Sequence, residues 1–282
     1  MRKIFLVFSL FTIAFACSNT QLLAQKTLRE LGFKTGIFAT GANNAITDVP
    51  GVTVGHVTCV VGDDIRTGVT AIVPHQGNIF RKKVPAAIYA GNGFGKLAGV
   101  TQVQELGNIE TPIVLTNTLN VAAGIDGIIS YTLAQKGNES VRSVNAVVGE
   151  TNDGRLNNIQ ARYVTPEMVV EAINSAKGGP VEQGCVGAGT GTICFDFKGG
   201  IGTSSRVLPE SLGGYTIGVI VQTNYGGVLE IDGVQVGQKL GEFDFKQHIP
   251  QAASLDGSCM MVVITDAPID ARNLERVAKR AM

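Results

Sequence analysis

The sequence predicts a single α/β domain, and three observations lead there. Valine- and isoleucine-rich runs of strand length recur along the chain. Three further stretches combine helical spacing of apolar residues with helix-start or helix-stop residues. The composition is that of a packed interior, 44% hydrophobic and 16% charged over 282 residues, with no shift that marks a domain boundary and no internal repeat. Gly 36 is high without a three-residue period, so it signals tight turns and close backbone approaches and not a collagen-like chain.

In chain order, residues 52–61, 68–74, 86–89 and 113–115 read as strands. Residues 124–135 read as a helix, 145–148 as a strand, and the next helix opens at Thr165-Pro166-Glu167. There a capping hydroxyl, a proline in the first turn and an early carboxylate precede the apolar positions Met168 to Ile173, and Gly178-Gly179-Pro180 stops the pattern. Strands follow at 215–222 and 259–265. A last helix starts near Asp266-Ala267-Pro268 and carries Leu274, Val277, Ala278 and Ala281 along one face.

The first residues carry targeting information. Arg2 and Lys3 precede a 13-residue apolar run, 4–16, too short for a membrane span but suited to a secretory leader. Two exits are visible. Ala14-Phe15-Ala16 before Cys17 would make Cys17 a lipidated anchor, and Leu22-Leu23-Ala24 before Gln25 would release residues 1–24. The second is preferred, because Ala14 stands where a lipoprotein signal has leucine. The expected location is periplasmic or secreted, with no transmembrane span.

Charge and metal-ligand patterns exclude several classes. Lysine plus arginine and aspartate plus glutamate are both 23, so no basic field favours nucleic acid. Cys59, Cys185, Cys194 and Cys259 are too scattered for a disulfide framework once Cys17 leaves with the leader. Cys185 and Cys194 are spaced to bridge, and buried free thiols fit them equally well. His56, His75 and His248 are isolated, no metal-ligand spacing occurs, and no cofactor is implied. The cluster Gly187-Ala188-Gly189-Thr190-Gly191-Thr192 lacks the Gly-Lys-Ser/Thr ending of a phosphate loop and runs into extended chain, so close backbone approach is its better explanation.

The most informative stretch is Asp256-Gly257-Ser258-Cys259, where a polar turn delivers a serine onto an apolar strand. Cutting after Gly257 would give Ser258 a free α-amine beside its own hydroxyl, uniting nucleophile and general base on one residue. Such an amine has a pKa of about 7.7 to 8.0 against about 10.4 for lysine, so a useful fraction is neutral at physiological pH. The plain alternative is a Gly-Ser turn before a strand.

Five segments in order resemble the self-processing serine aminopeptidases that include the L-aminopeptidase D-Ala-esterase/amidase (DmpA-type) and the β-peptidyl aminopeptidases. They are Asn44 to His56, Val148 to Gly154, Lys198 to Arg206, Val221 to Gly226 and Asp256 to Pro268. The resemblance implies an αββα four-layer sandwich of the N-terminal-nucleophile hydrolase kind, with 25–257 as one subunit and 258–282 as the start of a second. It implies self-cleavage between Gly257 and Ser258, Ser258 as nucleophile, Asn224 as oxyanion donor and Glu150 as the partner of the substrate's free amine. Asn152 would line the same pocket. Without the resemblance, Asn224 reads as a turn asparagine and Glu150 as a strand-end carboxylate capping its loop.

Substrates implied are small peptides, amides or esters with a free amine, handled by a homo-oligomer of processed units. In that family the second subunit is several times longer than the 25 residues from Ser258 to Met282, so the sequence is expected to be truncated. Two alternatives stand beside this reading. Ornithine acetyltransferases resemble the fold and self-process but expose a threonine, and an inactive peptide-binding homologue would keep the pocket without turnover.

Overall fold

The computed structural model describes residues 26–243, 246 and 257–282. The expected leader, Cys17, His248 and Asp256 lie outside the described residues. The chain divides into two units, 1–37 and 38–282. In the first, residues 26–37 form turns in which the Thr27 N–H donates to the Glu30 carboxylate at 2.6 Å.

The second unit is built on two sheets. Strands β1 (Thr53–Val61), β2 (Ile65–Val73), β5 (Ile113–Asn117) and β6 (Val147–Thr151) make the first, in that spatial order. The short strands β3 (Val84–Pro85) and β4 (Asn108–Ile109) pair apart from it. β1, β2 and β5 run antiparallel, while β5 and β6 are parallel with Thr116 opposite Glu150. Strands β9 (Gly200–Val207), β10 (Thr216–Asn224) and β11 (Ser258–Thr265) make the second, antiparallel sheet with β10 at its centre. A small hairpin, β7 (Ile193–Cys194) and β8 (Phe197–Lys198), turns at Phe195 and Asp196 with φ of 54° and 63°, values that a two-residue type I′ turn demands.

Side-chain alternation divides the core into two layers. Val69, Ala71 and Val73 of β2, Val114 of β5 and Val148 of β6 face helices α2 (Val121–Leu133) and α3 (Pro166–Asn174), where they meet Ile128, Val169 and Ala172. The opposite face of the first sheet presents Val54, Ile72 and Leu115 to Ile201, Ile220, Met260, Val262 and Ile264 of the second. Gln222 sits fully buried between the sheets and ties them, its amide donating to the carbonyls of Thr116 and Ala188 at 3.1 and 2.9 Å. Helix, sheet and sheet thus follow one another, and α5 (Ala271–Ala281) leaves the second sheet after β11.

Element boundaries shift in ways that matter for the site. β6 runs three residues beyond the apolar run 145–148 in part because its parallel partner β5 continues to Asn117, so Glu150 lies within the strand instead of after it. Residues 86–89 are not a strand; Ala86 donates to the Gly107 carbonyl and the chain then bends away without a ladder partner. β9 was not visible in the sequence, since Gly200, Gly202, Thr203, Ser204 and Ser205 lack an apolar alternation. Two short helices, α1 (Val100–Leu106) and α4 (Val236–Leu240), were also unpredicted. α2 begins at Val121, earlier than residue 124, because a 3-10 turn capped by Asn117 leads into it. α3 starts as expected, with the Thr165 hydroxyl accepting from Met168 N–H, whereas α5 starts at Ala271 with Asp270 as its cap. Cys59, Cys185, Cys194 and Cys259 are free thiols.

Candidate active site

Three strand ends meet at one point. β10 terminates at Asn224 ahead of Tyr225-Gly226-Gly227, β11 begins at Ser258, and the ladder places the two residues opposite each other. The Asn224 Nδ2 donates to Ser258 Oγ at 3.2 Å. From the first sheet, the chain leaving β6 brings the Asn152 backbone N–H to the same oxygen at 3.4 Å. A half-buried serine hydroxyl therefore receives two neutral N–H donors from two different sheets.

Each donor is held from behind. Asn224 Oδ1 accepts the Ile193 N–H at 3.2 Å, which leaves Nδ2 as the atom turned to Ser258. Asn152 spends its own Oδ1 on Gly154 N–H at 2.9 Å, so its contribution to Ser258 is the backbone and not the side chain. The following residue anchors the loop. Asp153 is buried, accepts from the Thr67 hydroxyl at 2.7 Å and from Asn157 Nδ2 at 3.0 Å, and Asn117 Nδ2 completes the network at Thr67. Burial raises the Asp153 pKa, against the pull of the hydrogen bonds from Thr67, Asn157 and Asn117.

Glu150 occupies a different position. Period-two alternation puts its side chain on the face of β6 that carries Val148, and at 3% exposure it is nearly buried. One carboxylate oxygen accepts the Lys96 N–H at 3.0 Å and the other accepts the Thr118 hydroxyl. Thr118 was not among the predicted residues. The signal that finds it is topological: β5 and β6 are parallel, and functional crevices form at the carboxyl ends of parallel strands, where Thr118 follows β5 and Glu150 is the penultimate residue of β6.

The neighbours of the serine are poor anions. Burial, then Cys194, pushes the Cys259 thiol up to about 11. Burial, then the two thiols of Cys194 and Cys259, pushes the Tyr225 phenol up to about 12. Both stay protonated near neutrality, so neither competes with the Ser258 oxygen as an ionised nucleophile. His56 shares a 2.9 Å contact with Thr70, and His75 a 2.8 Å contact with the Lys82 carbonyl. The glycine cluster is pressed between elements, as expected for close approach: a Cβ on Gly189 would stand 2.5 Å from Ile201 N and one on Gly191 2.1 Å from the Arg66 carbonyl oxygen. Among the described residues no group of three potential ligands could hold a metal ion, and no helix is long and apolar enough to cross a membrane.

The two-sheet α/β sandwich, with a serine at the head of a strand and an amide donor across the ladder, has the fold of the N-terminal-nucleophile hydrolases. Residues 44–282 match the model of Peptidase family S58, and the chain belongs to that family. It is 39% identical over 260 residues to the beta-peptidyl aminopeptidase BapA of Sphingosinicella microcystinivorans, covering 86% of this chain and 65% of that protein. Among solved structures it superposes on the PH0078 protein of Pyrococcus horikoshii OT3 with a TM-score of 0.82 and 45% identity, over 91% of this chain and 72% of that one. The L-aminopeptidase D-Ala-esterase/amidase of Ochrobactrum anthropi, described as a prototype for the serine aminopeptidases and a variant of the Ntn hydrolase fold, gives a TM-score of 0.80 at 35% identity. That likeness covers 90% of this chain and 71% of the neighbour. The chain thus spans somewhat less than two thirds of the curated relative's length.

Proposed function

We propose that this chain is the larger part of an exported, self-processing serine aminopeptidase. The observation that carries the reading is the Ser258 hydroxyl, placed at the start of β11 with Asn224 Nδ2 at 3.2 Å and Asn152 N–H at 3.4 Å. Two N–H donors at a nucleophilic oxygen are suited to stabilise charge that develops on a neighbouring carbonyl oxygen during attack. In the first event Ser258 Oγ attacks the Gly257 carbonyl and the bond from that carbon to the Ser258 nitrogen breaks, which frees the α-amine; water then splits the resulting ester, separating the two chains and freeing the hydroxyl. That amine then serves as the base for turnover, in which Ser258 is acylated by the N-terminal residue of a small peptide, amide or ester and released by water.

Glu150 anchors the free amine of the substrate in this reading. Each of its oxygens holds one donor, which leaves lone pairs for an ammonium. The leader 1–24 delivers the protein to the periplasm or beyond, and processed units assemble as a homo-oligomer. The relatives named above, whose printed names include beta-peptidyl aminopeptidase and L-aminopeptidase, support a peptide substrate over acetyl transfer.

Intact-mass analysis of the full-length protein tests the mechanism. Two fragments separated between Gly257 and Ser258 are expected, with Ser258→Ala remaining one chain and inactive. Ser258→Cys is expected to process while hydrolysing substrate more slowly. A single uncleaved chain with normal aminopeptidase activity would sink the proposal.

A further inference from the structure

Behind the Asn152 N–H lies a set of buried hydrogen bonds whose proton directions are all fixed. Asn117 Oδ1 accepts the N–H groups of Leu119 and Asn120 at 3.1 Å each, so its Nδ2 is the atom that meets Thr67 Oγ1 at 2.8 Å. Thr67 therefore accepts from Asn117 and gives its own proton to Asp153 Oδ2 at 2.7 Å. On the other side Asn157 Oδ1 accepts the Arg66 N–H at 3.0 Å, so its Nδ2 donates to Asp153 Oδ1, also at 3.0 Å. Both carboxylate oxygens receive donors, and all four side chains are buried.

Only a carboxylate satisfies this set. An amide at position 153 would turn its NH2 toward Thr67 or toward Asn157. Reversal of Asn157 strands the Arg66 N–H, and reversal at Thr67 strands the hydroxyl proton, so either arrangement leaves a buried donor without an acceptor. Holding the loop alone asks for less. The Asp153 carbonyl already accepts the Leu156 and Asn157 N–H groups at 3.1 and 3.0 Å, and Asn158 N–H bonds the Asp64 carbonyl at 2.7 Å, which fixes the chain after Asp153. The carboxylate fixes the chain before it. Thr151 is paired with Asn117 in the ladder, Asp153 is bonded to Thr67, and the residue between them is Asn152, whose N–H stands 3.4 Å from Ser258 Oγ.

We propose that Asp153 is a positioning residue for the acylation of Ser258, its carboxylate holding the Asn152 N–H at the reacting oxygen through Thr67, Asn117 and Asn157. The proposal rests on the acyl-enzyme reading above. In self-cleavage and in turnover alike, a carbonyl carbon takes a bond from Ser258 Oγ and its π electrons move onto the carbonyl oxygen. The bond to the departing nitrogen then breaks, and the hydroxyl proton ends on that nitrogen. An N–H already in place stabilises the developing charge most, because it needs no reorientation as the charge forms. Asp153 acts through the backbone, its own oxygens being turned to Thr67 and Asn157.

The test compares kcat and KM on an aminoacyl anilide for processed, full-length preparations, together with self-cleavage followed by intact mass. Asp153→Asn is expected to lower kcat and the self-cleavage rate about tenfold or more each, with KM within about threefold of the parent, because the displaced N–H acts on charge that forms in the transition state. Thr67→Val, which removes the hydroxyl at nearly constant shape, is expected to do the same, and Thr67→Ser, which restores it, to recover kcat to within about threefold. The Asp153→Asn, Thr67→Val double variant should be about as slow as the slower single one, since both break one set of bonds. Losses that multiply, or an Asp153→Asn kcat within about threefold of the parent beside a lowered thermal midpoint, would confine Asp153 to stability. Should Asp153→Asn fail to fold, the Thr67 pair decides: equal kcat in Thr67→Val and Thr67→Ser overturns the proposal. Ser258→Ala, run in parallel, reports on the acyl-enzyme reading alone. Continued processing there defeats that reading, while loss of processing there with parental kcat in Asp153→Asn defeats only the positioning role.

Discussion

Asn224 and Ser258 are cross-strand partners at the ends of β10 and β11, and the amide nitrogen of the first donates to the hydroxyl of the second at 3.2 Å. Because Ile193 N–H occupies Asn224 Oδ1, the side chain cannot present its carbonyl to Ser258 without stranding that donor. Asn224→Ala should therefore lower kcat on an aminoacyl anilide by about 10²- to 10³-fold, the usual range for loss of one oxyanion donor. Asn224→Asp should be no better, since it keeps the acceptor for Ile193 but places an oxygen opposite Ser258. An alanine variant within about threefold of the parent would leave Asn224 with only a structural part in the ladder.

Cys259 follows the proposed nucleophile and is an obvious competitor for its role. Burial pushes its thiol up to about 11, so at pH 7 to 8 it is protonated and a weak nucleophile. Alternation along β11 also turns it to the face opposite that of Ser258. Cys259→Ser is expected to retain most of the activity, and iodoacetamide is expected to leave the parent active at neutral pH. Rapid inactivation by the reagent that Cys259→Ser abolishes would place the thiol in the reaction path.

Stability below neutrality should depend on Glu110. This buried carboxylate accepts from the Lys83 ammonium and from Asn145 through the backbone N–H at 2.8 Å and the side-chain amide at 2.9 Å. Burial works to raise its pKa, and the hydrogen bonds from Lys83 and Asn145 outweigh it, so the folded value lies below the ordinary 4.5. A depressed carboxylate contributes stability that is fully present above its unfolded pKa and is lost as pH falls through the folded one. Glu110→Gln should lose about 1.5 to 3 kcal/mol at pH 7, by the cost of breaking buried hydrogen bonds to a charged group. Urea unfolding at a series of pH values checks this. The gap between parent and variant should close below the ordinary 4.5, and a gap that is constant down to the lowest pH would detach it from ionisation of Glu110.

The sequence made visible what depends on local pattern. β1, β10 and β11 carry valine and isoleucine in runs, and Thr165-Pro166-Glu167 announces α3, because each of these signals is contained within a few residues. β9 was hidden because its residues are selected by neighbours from elsewhere in the chain: Thr203 bonds Ile46 N–H and the Val219 carbonyl, and Ser205 bonds Asp48. The site divides the same way. Ser258, Asn224 and Glu150 belong to motifs, whereas the Asn152 backbone amide, Ile193 N–H and the Thr118 hydroxyl act through geometry that only the assembled sheets create.

Glu150 offers the sharpest test of substrate recognition because its surroundings permit two roles. Its carboxylate closes the 95–96 segment through Lys96 N–H and fixes the turn after β5 through Thr118, and both are structural services. If it also pairs with the ammonium of the substrate in this nearly buried position, Glu150→Gln should lose about 2 to 4 kcal/mol of transition-state binding while self-cleavage proceeds, since the precursor presents no free amine at the scissile peptide. Glutamine keeps an acceptor for one of the two donors, so the fold should persist; thermal unfolding of the processed variant checks this separately. The parent should discriminate strongly against N-acetylated substrates, and the glutamine variant should lose most of that discrimination. The measurement is therefore a pair of ratios, free-amine over N-acetyl kcat/KM in parent and variant. Equal ratios, with kcat/KM nearly unchanged, would confine Glu150 to holding Lys96 and Thr118 in place.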